Sequence, residues 1–223
     1  MRTIIPVGGK GSRYDCDFPK SLSKLNGSTI LDKLLEKDLP NPTLLVRDEN
    51  RSYFDGYEEK ATIHVSHSTY IGCLFDIFMY IREIDYTEDL LIIVGDIVFD
   101  FDLGEIIQNL NDLITIPILK CKEFEDVSDS GSVEINDEGI VTNFIEHELV
   151  IGSYRELGIY YIPAQYLKYI TECCVHHKVS SPGYLIEYAY KIVSVQTHIV
   201  TGNWFHINTI EDYQCCLNSL HGS

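Results

Sequence analysis

The sequence predicts an α/β protein built on a mixed, mainly parallel sheet flanked by helices, with an antiparallel hairpin late in the chain. Three observations predict it. An apolar run at residues 3–7 passes directly into Gly8-Gly9-Lys10-Gly11 and then into a segment of helical periodicity, the order of a strand, a tight loop and a helix. A second apolar run, residues 90–94, is continuous rather than alternating and stops at Gly95-Asp96, the form of a central parallel strand with a polar residue at its carboxyl end. Residues 131–135 and 139–145 flank Asn136-Asp137-Glu138-Gly139, a hairpin turn signal.

The other elements follow in order. Ile30, Leu31, Leu34 and Leu35 recur at helical spacing behind Ser28 or Thr29 as cap. Residues 43–46 and 62–65 read as short strands, and residues 70–84 as a largely buried helix behind Ser68. In the second half, residues 158–162 read as a strand, 164–175 as a helix, 193–200 as a strand and 209–217 as a closing helix. No internal repeat or low-complexity segment interrupts them, so residues 1–223 are expected to form one domain.

The totals exclude several function classes. Hydrophobic residues make up 45% and charged residues 23%, globular values, and no apolar run approaches the roughly 18 residues of a transmembrane span. Neither a membrane anchor nor a signal peptide is expected, which points to a cytoplasmic protein. A formal charge of −17 argues against nucleic acid or an acidic membrane as partner, since both demand a basic face. Seven cysteines without a repeated C-x-x-C spacing fit reduced thiols. An anionic ligand therefore needs a local basic island, and Lys10, Arg13, Lys20 and Lys24 supply one beside the glycine loop. A homo-oligomer is compatible with these totals.

Two phosphate loops are ruled out at residues 4–14. A P-loop requires Ser or Thr directly after its Gly-Lys and an earlier glycine, whereas Gly11 follows Lys10 and Ile4 stands at the earlier position. A dinucleotide fingerprint on Gly9 and Gly11 would place its third glycine at Tyr14. What remains is a loop whose backbone amides face an anion. Gly8-Gly9-Lys10-Gly11-Ser12-Arg13, Pro19-Lys20, the turn and helix at 26–37, Gly95-Asp96 after its strand, "FIEHE" before "GIYYIP", and "WFHINTIEDY" occur in that order along nearly the whole chain. Together they resemble the sugar-1-phosphate nucleotidylyltransferases.

The resemblance implies a Rossmann-like nucleotidyltransferase fold and transfer of an NMP group from a nucleoside triphosphate to a sugar 1-phosphate, giving an NDP-sugar and pyrophosphate. It implies catalytic roles for Arg13, Lys20 and Asp96, and nucleotide contacts at Gly8, Gly9, Lys10, Gly11, Ser12 and Gly72. Glu146, His147 and Gly158 fall on the acceptor side, and Asp96 with Asn208 on a Mg2+ ion, with Mn2+ as the alternative. Two positions depart from the family pattern: His147 stands where a lysine commonly holds the acceptor phosphate, and His206 where many members have an acid. Trp204 is expected to pack rather than recognise. The same residues leave open a cytidylyltransferase acting on a phosphorylated alcohol or amino alcohol, of the choline-phosphate type, and a non-catalytic nucleotide-sugar sensor.

Overall fold

The computed structural model describes residues 1–8, 17–67, 72–121, 130–146, 153–177 and 181–221. The first half contributes strands β1 (Arg2–Pro6), β2 (Lys24–Leu25), β3 (Ser28–Thr29), β4 (Pro42–Arg47), β5 (Thr62–Ser66), β6 (Leu90–Ile93) and β7 (Ile97–Phe99), with helices α1 (Ile30–Leu35), α2 (Cys73–Glu83) and α3 (Leu103–Gln108). The second half contributes β8 (Ile114–Lys120), β9 (Ser132–Ile135), β10 (Val141–Ile145), β11 (Tyr154–Glu156), β12 (Ile159–Ile162), β13 (Val195–Val200) and β14 (Trp204–His206). Its helices are α4 (Leu167–Glu172), α5 (Pro182–Ala189) and α6 (Ile210–His221).

One sheet runs in the order β10-β9-β11-β8-β12-β6-β1-β4-β5, and β13 also pairs with β8. The β6-β1-β4-β5 side is parallel, with Ile4 facing Thr43 on one neighbour and Ile92 on the other. The chain runs from β1 outward to β4 and β5, then returns through α2 to β6 on the other flank of β1. The direction of winding therefore reverses between β1 and β6, which opens a crevice at their carboxyl ends. Beyond β6 the pairings turn antiparallel, apart from β13 on β8. The sheet is thus mixed, as expected, with parallel pairings β1–β4, β1–β6, β4–β5 and β8–β13 and antiparallel ones among β6 and β8–β12.

Alternation along the central strands builds a core on each face. Ile4, Ile92 and Ile162 join Leu74, Ile77, Ile170 and Leu185 from α2, α4 and α5. Ile5, Leu91, Ile93 and Ile159 join Leu31 and Leu34 from α1 and Ile106 from α3. The short antiparallel pair β7–β14 brings the end of the chain back beside β6. Helix α1 starts with a reciprocal cap, in which Thr29 Oγ1 accepts from Asp32 N at 2.9 Å and Asp32 accepts from Thr29 N at 3.1 Å.

Several elements differ from the expectation. The helix expected over 70–84 is α2, which starts at Cys73 behind Gly72; residues 70 and 71 and the expected cap Ser68 lie outside the described residues. The helix expected over 164–175 is a 3-10 turn, the short α4 and a π turn. Strand β8 has no counterpart in the sequence reading because Pro117 interrupts its pattern. Its antiparallel partners explain why the proline is tolerated: β12 meets β8 at Thr115 and β11 only from Ile118 onward, so Pro117 falls between the two ladders. Cys73, Cys173, Cys174, Cys215 and Cys216 carry free thiols, and burial pushes Cys173 and Cys174 up to about 12. No helix among the described residues is long and apolar enough to cross a membrane.

Candidate active site

The crevice floor is made by close backbone approaches. A Cβ on Gly95 would stand 2.8 Å from the Pro6 carbonyl oxygen and 2.7 Å from Val7 Cγ1, so only glycine lets the end of β6 lie against the end of β1. A Cβ on Gly8 would stand 2.7 Å from Arg47 Cγ, and Asn50 Nδ2 donates to the Gly8 carbonyl at 3.4 Å. Arg47 in turn pairs with the buried Asp76 at 3.3 Å, and Ser66 donates to the other Asp76 oxygen at 2.8 Å. Gly8 thus leaves β1 over a floor that is packed and polar-paired.

Four side chains close a ring at the carboxyl end of β6. Lys20 Nζ lies 2.7 Å from Asp96 Oδ2 and donates to Asn208 Oδ1 at 3.0 Å. Asn208 Nδ2 approaches His206 Nδ1 at 3.1 Å, and His206 Nε2 approaches Asp96 Oδ1 at 3.3 Å. The backbone supports the ring: Ile207 N donates to the Asp96 carbonyl at 2.8 Å, and Asp212 accepts from Asn208 N at 2.9 Å. Burial opposes the charged form of Asp96, but His206 and Lys20 outweigh it and hold the carboxyl well below the usual range. For His206, burial favours the neutral ring while the Asp96 carboxylate raises its pKa and prevails. The amide donor facing Nδ1 suits the neutral ring with its proton on Nε2. Forming the imidazolium therefore requires the Asn208 amide to turn, which loosens its hold on Lys20.

The ring also answers whether the site suits a divalent ion. Oxygens of Asp96 and Asn208 converge on one point, and the Lys20 ammonium stands there as a cation. No three His, Cys, Asp or Glu side chains among the described residues form a metal cage. Magnesium is commonly bound by one or two protein oxygens with substrate phosphates and water completing the octahedron, so this donor set fits it.

On the antiparallel side, Glu146 directly follows β10, and its Oε1 accepts from Ser181 Oγ at 2.7 Å at the N-terminus of α5. Burial and the neighbouring Glu156 push the Glu146 carboxyl up to about 7, while Ser181 and His206 pull the other way. Glu156 is itself buried at the end of β11 and accepts from the Gly158 amide.

These positions sort the sequence-predicted residues. Lys20, Asp96 and Asn208 meet in one ring, with the Asn208 oxygen on Lys20. Gly8 lies at the mouth of the crevice, and Gly72 precedes α2 with φ +139°. Glu146 shares its electrostatic surroundings with His206. Gly158 turns the chain into β12 with φ +74°, and its amide donates to Glu156. Trp204 packs: its Nε1 donates to the Leu157 carbonyl at 3.0 Å and the Arg155 guanidinium lies 5.2 Å from its ring centre. Gly9, Lys10, Gly11, Ser12, Arg13 and His147 lie outside the described residues. Glu156, Ser181 and Gly183 were missed. Ser181-Pro182 carries a helix-start signal, but nothing local ties it to Glu146.

A Rossmann-like nucleotidyltransferase fold is what this sheet order and its crevice define, and solved structures share it. The chain superimposes over 98% of its length, covering 94% of the other chain, on a putative glucose-1-phosphate thymidylyltransferase from Bacillus anthracis in complex with a sucrose, with a TM-score of 0.80 and 16% identity. A CTP:phosphocholine cytidylyltransferase from Streptococcus pneumoniae matches with a TM-score of 0.79 and 16% identity over 98% of both chains. A UDP-glucose pyrophosphorylase complexed with UDP-glucose matches with a TM-score of 0.79 and 13% identity over 99% of this chain and 98% of that one. No protein-family model matches the sequence, and no curated protein matches it.

Proposed function

We propose that the protein is a nucleotidyltransferase that moves an NMP group from a nucleoside triphosphate to a sugar 1-phosphate. The observation that carries this reading is the Lys20-Asp96-His206-Asn208 ring at the reversal point between β1 and β6, beside the start of a glycine loop. The fold shared with nucleotidyltransferases of known structure supports it.

An acceptor phosphate oxygen attacks the α-phosphorus; a P–O bond forms to the acceptor, the bond from the α-phosphorus to the bridging oxygen breaks, and pyrophosphate leaves. A phosphate monoester has a second pKa of about 6, so the nucleophile is already anionic and no general base is needed. The obstacle is the approach of two polyanions, and the protein's contribution is position and positive charge. Lys20 leaves Asp96 to neutralise the phosphate at the reacting centre, and Arg13 stabilises the departing pyrophosphate. Asp96 and Asn208 would hold a divalent ion, which would supply neutralisation of phosphate charge. Glu146 accepts a hydrogen bond from an acceptor hydroxyl.

A second reading, transfer of CMP to a phosphorylated amino alcohol, is favoured by one feature. Burial and the neighbouring buried Glu156 oppose ionisation of Glu146, and a cationic head beside it would relieve that cost. One experiment decides: the protein is incubated with each common nucleoside triphosphate, a panel of sugar phosphates and amino-alcohol phosphates, and a divalent metal, and pyrophosphate release is measured. Turnover with a sugar 1-phosphate is expected. Turnover only with phosphocholine or a related acceptor selects the second reading, and saturable nucleotide-sugar binding without any turnover overturns both in favour of a sensor.

A further inference from the structure

The residues around Glu146 hold its carboxylate in one place by two independent devices. Ser181 is the N-cap of α5, and its hydroxyl oxygen accepts from Gly183 N at 3.3 Å. With that acceptor role taken by the helix, the hydroxyl proton points to Glu146 Oε1 at 2.7 Å. The helix start thereby sets the direction of a hydrogen bond to a carboxylate on a different strand. The second device is steric. An ideal Cβ on Gly183 would overlap the Glu146 carboxylate, standing 2.5 Å from Oε1 and closer still to Oε2. The first turn of α5 has room for the carboxylate only because position 183 has no side chain. A Cβ on Gly131 would stand 3.2 Å from Oε2 and 2.9 Å from Phe144 Cε1, which makes Gly131 an opposite wall.

We propose that Ser181 and Gly183 are positioning residues that fix Glu146 toward the acceptor side of the crevice, Ser181 through its hydroxyl and Gly183 by its missing side chain. The proposal rests on the reading of Glu146 as the acceptor contact. Neither residue touches the reacting atoms; each acts through Glu146. Gly183 is not in the left-handed backbone region, and alanine is the better helix former, so glycine there is disfavoured by helix propensity and retained for the space it leaves. The titratable groups that act on the carboxylate are Glu156 from β11, Glu187 from α5 and His206 from β14.

The first test needs no acceptor. The Glu146 side-chain carboxyl is followed by 13C NMR across pH 4–9 in the full chain, labelled at glutamate and assigned by comparison with Glu146→Gln. In the wild type the group is expected to titrate near 7. Gly183→Ala, which pushes the carboxylate out of its seat, is expected to return the titration to the ordinary glutamate range near ~4.3. Ser181→Ala removes a hydrogen bond that favours the charged form and is expected to move the titration further up, with Ser181→Thr restoring it. The second test measures pyrophosphate release with glucose 1-phosphate and with phosphocholine as acceptor probes. Gly183→Ala is expected to raise the acceptor KM at least tenfold and leave the triphosphate KM within about twofold. In a Glu146→Ala background the added Gly183→Ala or Ser181→Ala is expected to change nothing further. Unchanged Glu146 titration in both variants overturns the proposal, as do effects that add to those of Glu146→Ala. If neither probe turns over while the NMR shifts occur, the positioning stands and the reading of the reaction fails.

Discussion

Replacing Lys20 by methionine removes one charge from the ring while keeping the length of the side chain. Lys20 and Asp96 are 13% and 24% exposed, so their interaction is only partly screened by solvent. Across 2.7 Å at an effective dielectric constant of about 20, the gross attraction is about 6 kcal/mol, most of it offset by desolvation of both ions. His206 remains 3.3 Å from the other Asp96 oxygen, so the carboxylate is not left unpaired. The expected net loss of stability is therefore about 1–2 kcal/mol, read as a lower urea midpoint with an unchanged slope. Turnover is expected to fall on the order of a hundredfold or more, because the ammonium neutralises phosphate charge in the transition state. Metal binding moves the opposite way. The ammonium occupies the point where the Asp96 and Asn208 oxygens converge, so its removal is expected to tighten Mn2+ binding to the free protein about tenfold, equivalent to about 1.4 kcal/mol. Electron paramagnetic resonance of unbound Mn2+ measures this without any substrate. Undiminished turnover refutes the role of Lys20 in the reaction, and Mn2+ binding no tighter than in the wild type refutes the shared cation seat.

With its carboxyl pushed up to about 7 in the folded protein against ~4.3 in the unfolded chain, Glu146 is expected to make stability fall as pH rises between those values. Glu146→Gln is expected to remove on the order of 2 kcal/mol of that fall, measured by urea unfolding at pH 4.5 and 7.5. Gly95→Ala would force a Cβ against the Pro6 carbonyl oxygen at 2.8 Å; about 1–3 kcal/mol of lost stability and a lower Tm are expected, with a raised triphosphate KM as Asp96 moves from the loop. Asn208→Ala removes partners from both Lys20 and His206 and is expected to lower turnover with Mg2+ at least tenfold; an unchanged rate would mean that the ring does not serve the reaction.

What the sequence by itself determined was local. The continuous apolar run ending at Gly95-Asp96, the 136–139 turn between β9 and β10, and the Thr29 cap of α1 all rest on periodicity or turn chemistry within a few residues, and all appear in the structure. The resemblance in motif order placed Lys20, Asp96 and Asn208 on one candidate list. Only the tertiary structure decided that Lys20 bonds to Asn208 across 188 positions of chain, that Asn208 fixes the ring orientation of His206, and that the Gly158 amide is spent on Glu156. It also decided where β8 lies, with Pro117 between two antiparallel partners whose ladders stop short of it and opposite His198 of β13. The packing of Gly183 against Glu146 has no local signature at all, because a glycine in a first helical turn reads the same whether it faces water or a carboxylate. Periodicity is a property of neighbouring residues and is written in them, whereas the pairing order of strands joins distant segments whose contacts exist only once the sheet has closed.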